Sequence, residues 1–328
     1  MSDLTKKEIL EILDEHPWGS ENLRIVYFRD FQNTHSVINE LPGGIIYSEL
    51  KSLRLSLKIF LDAVDDLISS INKFKYDSAH TDFWTIANKP FTDKIEVTIQ
   101  RGIISSSMCA MALVDHSREF NKKYPVNGYE DQIRKNFQAN EVHKFVHGLR
   151  RFLSHIKFTK ANWNIFHSET NIRNVVFILS KDDLMQFNDW SSLAKSYIQS
   201  QEDGVDVESL FNEYSNQVKK FHNWLWAALF NGYGEKITQH LNYLKIIEGF
   251  SLESNWNLLL QQVLPQQKID PYQHLDKYLT DEQLEDIYSF PFRSQQQVDR
   301  IIQLIDTHQI CTGLMRSKVY DAFNINKT

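Results

Sequence analysis

The stretch His143-Lys-Phe-Val-His-Gly-Leu-Arg-Arg-Phe-Leu-Ser-His155 decides how this chain is read. Its histidines and one arginine (His143, His147, Arg151 and His155) recur every four residues. On a helix that spacing draws one slowly drifting stripe. Between Val142 and Ser168 there is no Asp or Glu, whereas Lys144, Arg150, Arg151, Lys157 and Lys160 are basic. A chain of formal net charge −6 has therefore gathered cations and imidazoles on one segment. That combination suits binding or cleaving a phosphodiester.

The segment sits among other helices. From Ile45 to Phe74 the apolar residues Leu50, Leu53, Leu57, Phe60, Leu61, Val64, Leu67, Ile68 and Ile71 follow helical spacing. Pro90 opens a second long helix over about 91–122. Shorter helices are expected at 129–138 and 140–157, so the N-terminal half reads as a bundle. Thr5 with Glu8, and Thr280 with Gln283, are capping boxes that start further helices. Trp163-Asn-Ile-Phe-His167 and Asn174-Val-Val-Phe-Ile-Leu179 flank a polar turn and predict a β-hairpin. Arg24 to Phe28 reads as a short strand or a helical turn, and Pro42-Gly-Gly as a turn. A helix over 206–231 should end at Gly232-Tyr-Gly234, followed by helices at 235–249, 254–262, 281–288 and 294–306. Residues 265–280, with Pro265 and Pro271, are the expected linker.

Composition agrees with this helical reading. Only 11 Gly and 7 Pro occur in 328 residues, too few for a turn-dense all-β fold, and 21 Phe, 13 Tyr and 7 Trp can fill a large core. The polar N-terminus is no signal peptide, and no apolar run approaches the roughly 20 residues of a membrane span. Cys109 and Cys311 form no motif and read as reduced thiols, so a cytoplasmic protein is expected. Phosphate-cradling Gly-rich loops, a Gly-x-Ser-x-Gly elbow and a His-Glu-x-x-His helix are all missing from the sequence. Nucleotide-driven motors, α/β-hydrolases and zincins are thereby excluded.

Arg150 and His155 offer phosphoryl chemistry directly. An imidazole serves as general base or acid near neutral pH, and a guanidinium offsets charge on a pentavalent phosphorus. With an RNA 2′-hydroxyl as nucleophile no metal is needed. The two residues lie five positions apart, about 140° around a helix, so only the length of arginine lets them converge. Arg151 is better aligned with His155. A competing reading is a solvated basic face whose arginines pair with acids on neighbouring helices. Arg29 and His35 repeat the loose pattern without basic surroundings. His143 and His147 have the spacing of two metal ligands, but Glu141 is the single carboxylate near them in sequence, and no metal or other cofactor is assigned. Asp115-His-Ser-Arg118, near the end of the preceding long helix, either makes ordinary helix-end contacts or brings Arg118 to the same cleft. Trp224 and Trp226, set among Leu225, Ala228 and Leu229, read as core rather than as a base-stacking platform.

The string Phe145-Val-His-Gly-Leu-Arg-Arg-Phe-Leu-Ser-His155, together with Asp115-His-Ser-Arg118, resembles the HEPN superfamily over roughly residues 45–160. Those all-α domains carry an Arg-polar-x-x-x-His motif on a late helix. The resemblance implies a metal-independent endoribonuclease that dimerises so that two Arg–His sets share one cleft. Many members act in toxin–antitoxin, abortive-infection or other antiphage systems. By position Arg150 and His155 take the places of the family pair. Arg151 departs from the family, which most often has Asn there. Some members keep the fold without the chemistry.

The expectation is therefore a mainly α protein. Residues 1–160 hold an N-terminal segment and a HEPN-like bundle, 161–205 a β-hairpin with connecting helices, and 206–328 a helical C-terminal region. The expected activity is RNA cleavage by a homodimer, with His155 as general acid/base and Arg150 stabilising the transition state. Arg118, His147, Arg151, Lys157 and Lys160 would contact RNA, and an antitoxin or regulatory protein is a partner. The alternative is a non-catalytic RNA- or protein-binding regulator that retains the fold.

Overall fold

The computed structural model describes residues 4–18, 31–155, 162–167 and 173–325, without the side chains of 31–32, 154–155, 162–167 and 173–174. It is mainly α-helical with a small antiparallel sheet. The chain forms two compact units, residues 45–235 and residues 1–44 with 236–328. The second unit is discontinuous, so the units are not consecutive segments of sequence.

In unit 45–235 the first long helix is α3 (Pro42–Ser78); α1 (Lys6–Asp14) and α2 (Phe31–Asn39) belong to the other unit. The apolar spacing of α3 buries Leu50, Leu53, Phe60, Val64, Leu67, Ile71 and Phe74 on one side. Pro42-Gly-Gly, read as a turn, instead forms the first turn of α3. A proline is at home there because the first N–H groups of a helix have no intrahelical acceptor to reach. Helix α4 (Lys89–Lys123) carries Pro90 in its first turn and buries Ile95, Ile99, Ile103, Met111 and Leu113. Its Ser106 hydroxyl donates to the carbonyl of Ala63 on α3 (3.0 Å). By length and composition residues 86–123 would suffice to cross a bilayer, yet this apolar stripe is spent inside the bundle.

Short α5 (Tyr129–Ile133) runs into a π-turn (Arg134–Gln138) and is followed by α6 (Glu141–His155). Strands β1 (Asn162–His167) and β2 (Arg173–Ser180) pair antiparallel, with Trp163 opposite Phe177 and Ile165 opposite Val175. The expected hairpin is present; most of its turn lies outside the described residues. A three-residue strand, β3 (Gly204–Asp206), adds to β2 after α7 (Lys181–Met185) and α8 (Ser192–Ser200). Phe177 on β2 meets Phe74 of α3 edge to face at 4.9 Å, which fixes the sheet to the bundle.

Helix α9 (Val207–Leu258) is the longest element, and the predicted stop at Gly232-Tyr-Gly234 does not occur. Neither glycine adopts a left-handed conformation. A glycine in helical geometry costs only about 1 kcal/mol relative to alanine. Burial of Leu225 and Leu229 before the pair, and of Ile237 and Ile247 after it, outweighs that cost. The helices expected at 235–249 and 254–262 are thus one continuous helix ending in a π-turn (Leu259–Val263).

In the discontinuous unit, Ile9 and Leu13 of α1 and Val37 and Ile38 of α2 pack with Tyr243 and Ile247 of α9. The Tyr243 hydroxyl donates to Asp14 at 2.6 Å. Beyond α9 come α10 (Leu264–Gln267), a 3-10 turn (Pro271–Lys277), α11 (Asp281–Tyr288), α12 (Gln295–Ile305) and α13 (Gly313–Ala322). Residues 265–280 are no linker, because Leu275 and Leu279 enter one core with Ile287, Val298, Ile301, Met315 and Val319. Buried Gln297 ties this core together. Its amide oxygen accepts from Tyr272 Oη (2.7 Å) and the Arg293 N–H (2.8 Å), and its Nε2 donates to the Ile287 carbonyl (3.1 Å).

Candidate nucleic-acid surface on helix 141–155

Helix α6 starts where the Asn140 side chain accepts the His143 N–H at 2.7 Å. Its inward face (Val142, Phe145, Val146, Leu149, Phe152 and Leu153) is buried against α4 and α8. Phe145 stacks on Trp190 at 5.2 Å, and the Trp190 indole donates to the Leu184 carbonyl at 2.7 Å. Gly148 makes this stacking possible, since a Cβ there would lie 2.5 Å from two Trp190 ring atoms. The glycine in the motif-like string is therefore a packing requirement imposed by a residue far along the chain.

The histidine stripe divides as it drifts around the helix. His143 is buried and its Nδ1 lies 3.2 Å from Tyr214 Oη. Burial first, then Lys144, His147 and Arg118, push its pKa down to about 3. Burial also raises the Tyr214 pKa. The imidazole is then neutral and the tyrosine protonated, so Tyr214 donates to His143. His143 is a core residue, neither a metal ligand nor part of an RNA surface. His147 one turn on is exposed. The protein packed around it, followed by Lys144, Arg118, Arg151 and Arg150, holds its pKa below the usual value. It too is predominantly neutral at pH 7.

Arg150 and Arg151 are both exposed, but they differ in company. Arg151 Nη2 lies 3.1 Å from Asp189 Oδ2. Among the described residues no carboxylate pairs with Arg150. The pairing with a neighbouring acid that the solvated-face reading expects is made by Arg151 and, among the described residues, not by Arg150. His155 is the last helical residue of α6; its side chain, and all of Lys157 and Lys160, lie outside the described residues, as does Arg29.

Helix α4 faces α6 and contributes Arg118. Arg118 pairs with Asp115 at 3.6 Å on the surface, an ordinary i,i+3 contact. Its charge nevertheless reaches His143 and His147. His116 goes elsewhere, with Nδ1 2.7 Å from Ser56 Oγ of α3. Beneath Arg118 a cavity of about 40 Å3 is lined by Tyr129, His143, Tyr214 and His222. That is far below the 150 Å3 or so that holds a benzene ring, so no base enters it. Asp189, Trp190 and Tyr214, which set the properties of α6, carry no signal in the sequence near the basic stretch. Trp224 is half-buried beside Phe221 in the same bundle.

Among the described residues no three His, Cys, Asp or Glu side chains converge as a metal set. The chain matches no family model, no curated protein and no solved structure.

Proposed function

We propose that this protein is a metal-independent endoribonuclease of HEPN type acting through Arg150 and His155. The observation that carries the proposal is the exposed Arg150, without a carboxylate partner among the described residues, beside the cations of α4 and α6. Arg151 is paired with Asp189, whereas the exposed Arg54, Arg101 and Arg150 have no carboxylate partner among the described residues, and of these three Arg150 is the one on the basic helix. Beside Arg118, Lys144 and Arg151 it is available to a phosphate.

In this mechanism neutral His155 takes the proton of a ribose 2′-hydroxyl, whose oxygen attacks the adjacent phosphorus. Arg150 hydrogen-bonds the non-bridging oxygens and offsets the charge that grows on them. The 5′-oxygen leaves with a proton, and the product end is a 2′,3′-cyclic phosphate. His147, Arg118, Arg151, Lys157 and Lys160 hold the backbone. A homodimer would place two such sets in one cleft, and a toxin or antiphage role would call for an antitoxin or regulatory partner. The departure at position 151 keeps a second reading open, in which Arg151, paired with Asp189, marks a regulator that binds RNA without cutting it.

The deciding experiment incubates RNA in EDTA with wild type, Arg150→Ala and His155→Ala, and examines the new ends. Cleavage by wild type alone, leaving cyclic phosphate, is the expected outcome. Equal cleavage by all three sinks the assignment. Loss of wild-type cutting on chelation favours a metal, and binding without cutting favours the regulator.

A further inference from the structure

The C-terminal core carries a partly open apolar cavity of about 260 Å3. Trp256, Leu260, Ile301, Ile305, Met315 and Val319, from α9, its π-turn, α12 and α13, form its walls. Protein interiors pack to crystal density and leave few voids larger than a water. A void of this size in so greasy a lining forfeits dispersion contacts that an apolar occupant would restore. A 150 Å3 cavity of this type takes up benzene, so 260 Å3 scales to an apolar body of about ten carbons.

The rim fixes the chemistry of the other end. Exposed Lys277 and half-buried His274 line it on the 3-10 turn. The one lining acid, Asp306, is already engaged, since its two carboxylate oxygens accept the N–H groups of Ile310 (3.0 Å) and Cys311 (2.8 Å). Apolar walls with a cation at the edge match a single-chain anionic amphiphile. We infer that this cavity binds a medium-chain carboxylate of about ten carbons, with its chain among Trp256, Ile301 and Met315 and its carboxylate at Lys277. The site lies in the discontinuous unit and stands whether or not the RNA reading holds.

Calorimetric titration of the full chain with octanoate, decanoate, dodecanoate and tetradecanoate tests this. Binding should be one to one, and affinity should rise about fourfold per added CH2 up to about ten carbons, then level off. Lys277→Gln should weaken decanoate about threefold and leave decanol unchanged. Met315→Trp, which fills the cavity, should abolish binding of both while keeping the wild-type circular dichroism. Should that variant not fold, the chain-length series and Lys277→Gln still decide. Absence of saturable decanoate binding overturns the site, and so does affinity climbing without a break through tetradecanoate. Uptake of phosphatidylglycerol vesicles in place of free decanoate overturns the free acid as occupant. Equal weakening of decanol by Lys277→Gln overturns the placement of the head.

Discussion

Helix 141–155 and the C-terminal core solve opposite problems. Under the helix Trp190 is pressed against Gly148 and the one cavity described beside it is of about 40 Å3, while Arg150 on its outer face has no acid partner among the described residues. In the C-terminal core every arginine is paired, Arg293 with Asp270, Arg300 with Asp286 and Arg316 with Asp299, and an apolar cavity opens into the core. Free charge over tight packing suits a rigid surface that receives a polyanion. Paired arginines around an apolar cavity with a lysine at its rim suit a container. Where a molecule leaves its arginines unpaired, and where it leaves its core unfilled, are separate indications of what each region handles.

The contrast breaks first at Arg150. Arg150→Ala and His155→Ala should each lower RNA cleavage at least about 100-fold, read as the rate of cyclic-phosphate formation. A loss below about threefold would return Arg150 to the status of Arg151. The next largest effect follows from the buried histidines. His143 and His222 have folded pKa values pushed down to about 3 and about 4 from an ordinary 6.5, chiefly by burial. Below about pH 6.5 the unfolded chain takes up protons that the fold refuses. Their stabilising contribution is full above that pH and is lost as pH falls toward 4 and then 3. Each contributes up to about 1.4 kcal/mol per pH unit over its window. Urea midpoints at pH 7.5 and 5 should record the decline, and His222→Phe, which removes one of the two titrating groups and an Nδ1 without a partner, should make it shallower.

Packing gives the third test. Gly148→Ala should destabilise by about 1–3 kcal/mol, since the methyl must displace the Trp190 ring. Gly249→Ala, in α9, should instead stabilise by about 0.5–1 kcal/mol, because its Cβ would sit at an ordinary 3.6 Å from Ile310. Paired urea titrations followed by tryptophan fluorescence decide both, and equal signs would erase the packing difference. The smallest effect belongs to Arg151→Gln. Breaking its exposed pair with Asp189 should cost under about 0.5 kcal/mol in the same titration.

The helices were legible because their signals are local. The stripe from Leu50 to Ile71, Pro90, and the boxes Thr5/Glu8 and Thr280/Gln283 all act within a few residues, and each starts or fills a helix as expected. The hairpin was readable for the same reason. Gly232-Tyr-Gly234 misled because a local stop signal worth about 1 kcal/mol per glycine is outvoted by burial on both sides. The discontinuous unit was illegible, for it rests on pairs such as Tyr243 with Asp14 that no window of sequence contains. At the candidate surface the basic composition could be read, but its sorting could not. That His143 turns inward to Tyr214, that Arg151 is held by Asp189, and that Gly148 accommodates Trp190 are all decided by residues 38 to 71 positions away.

The discontinuous unit also sets a timetable. Residues 1–44 leave the ribosome before residues 45–235, yet their core partners begin only at Lys236. At a synthesis rate of about 5–20 residues per second, the roughly 190 intervening residues take about 10–40 s. Through that interval Ile9, Leu13, Val37 and Ile38 have no Tyr243 or Ile247 to cover them, while the chain from 45 to 235 is already complete. The bundle is thus complete before the residues that cover Ile9, Leu13, Val37 and Ile38 have been made.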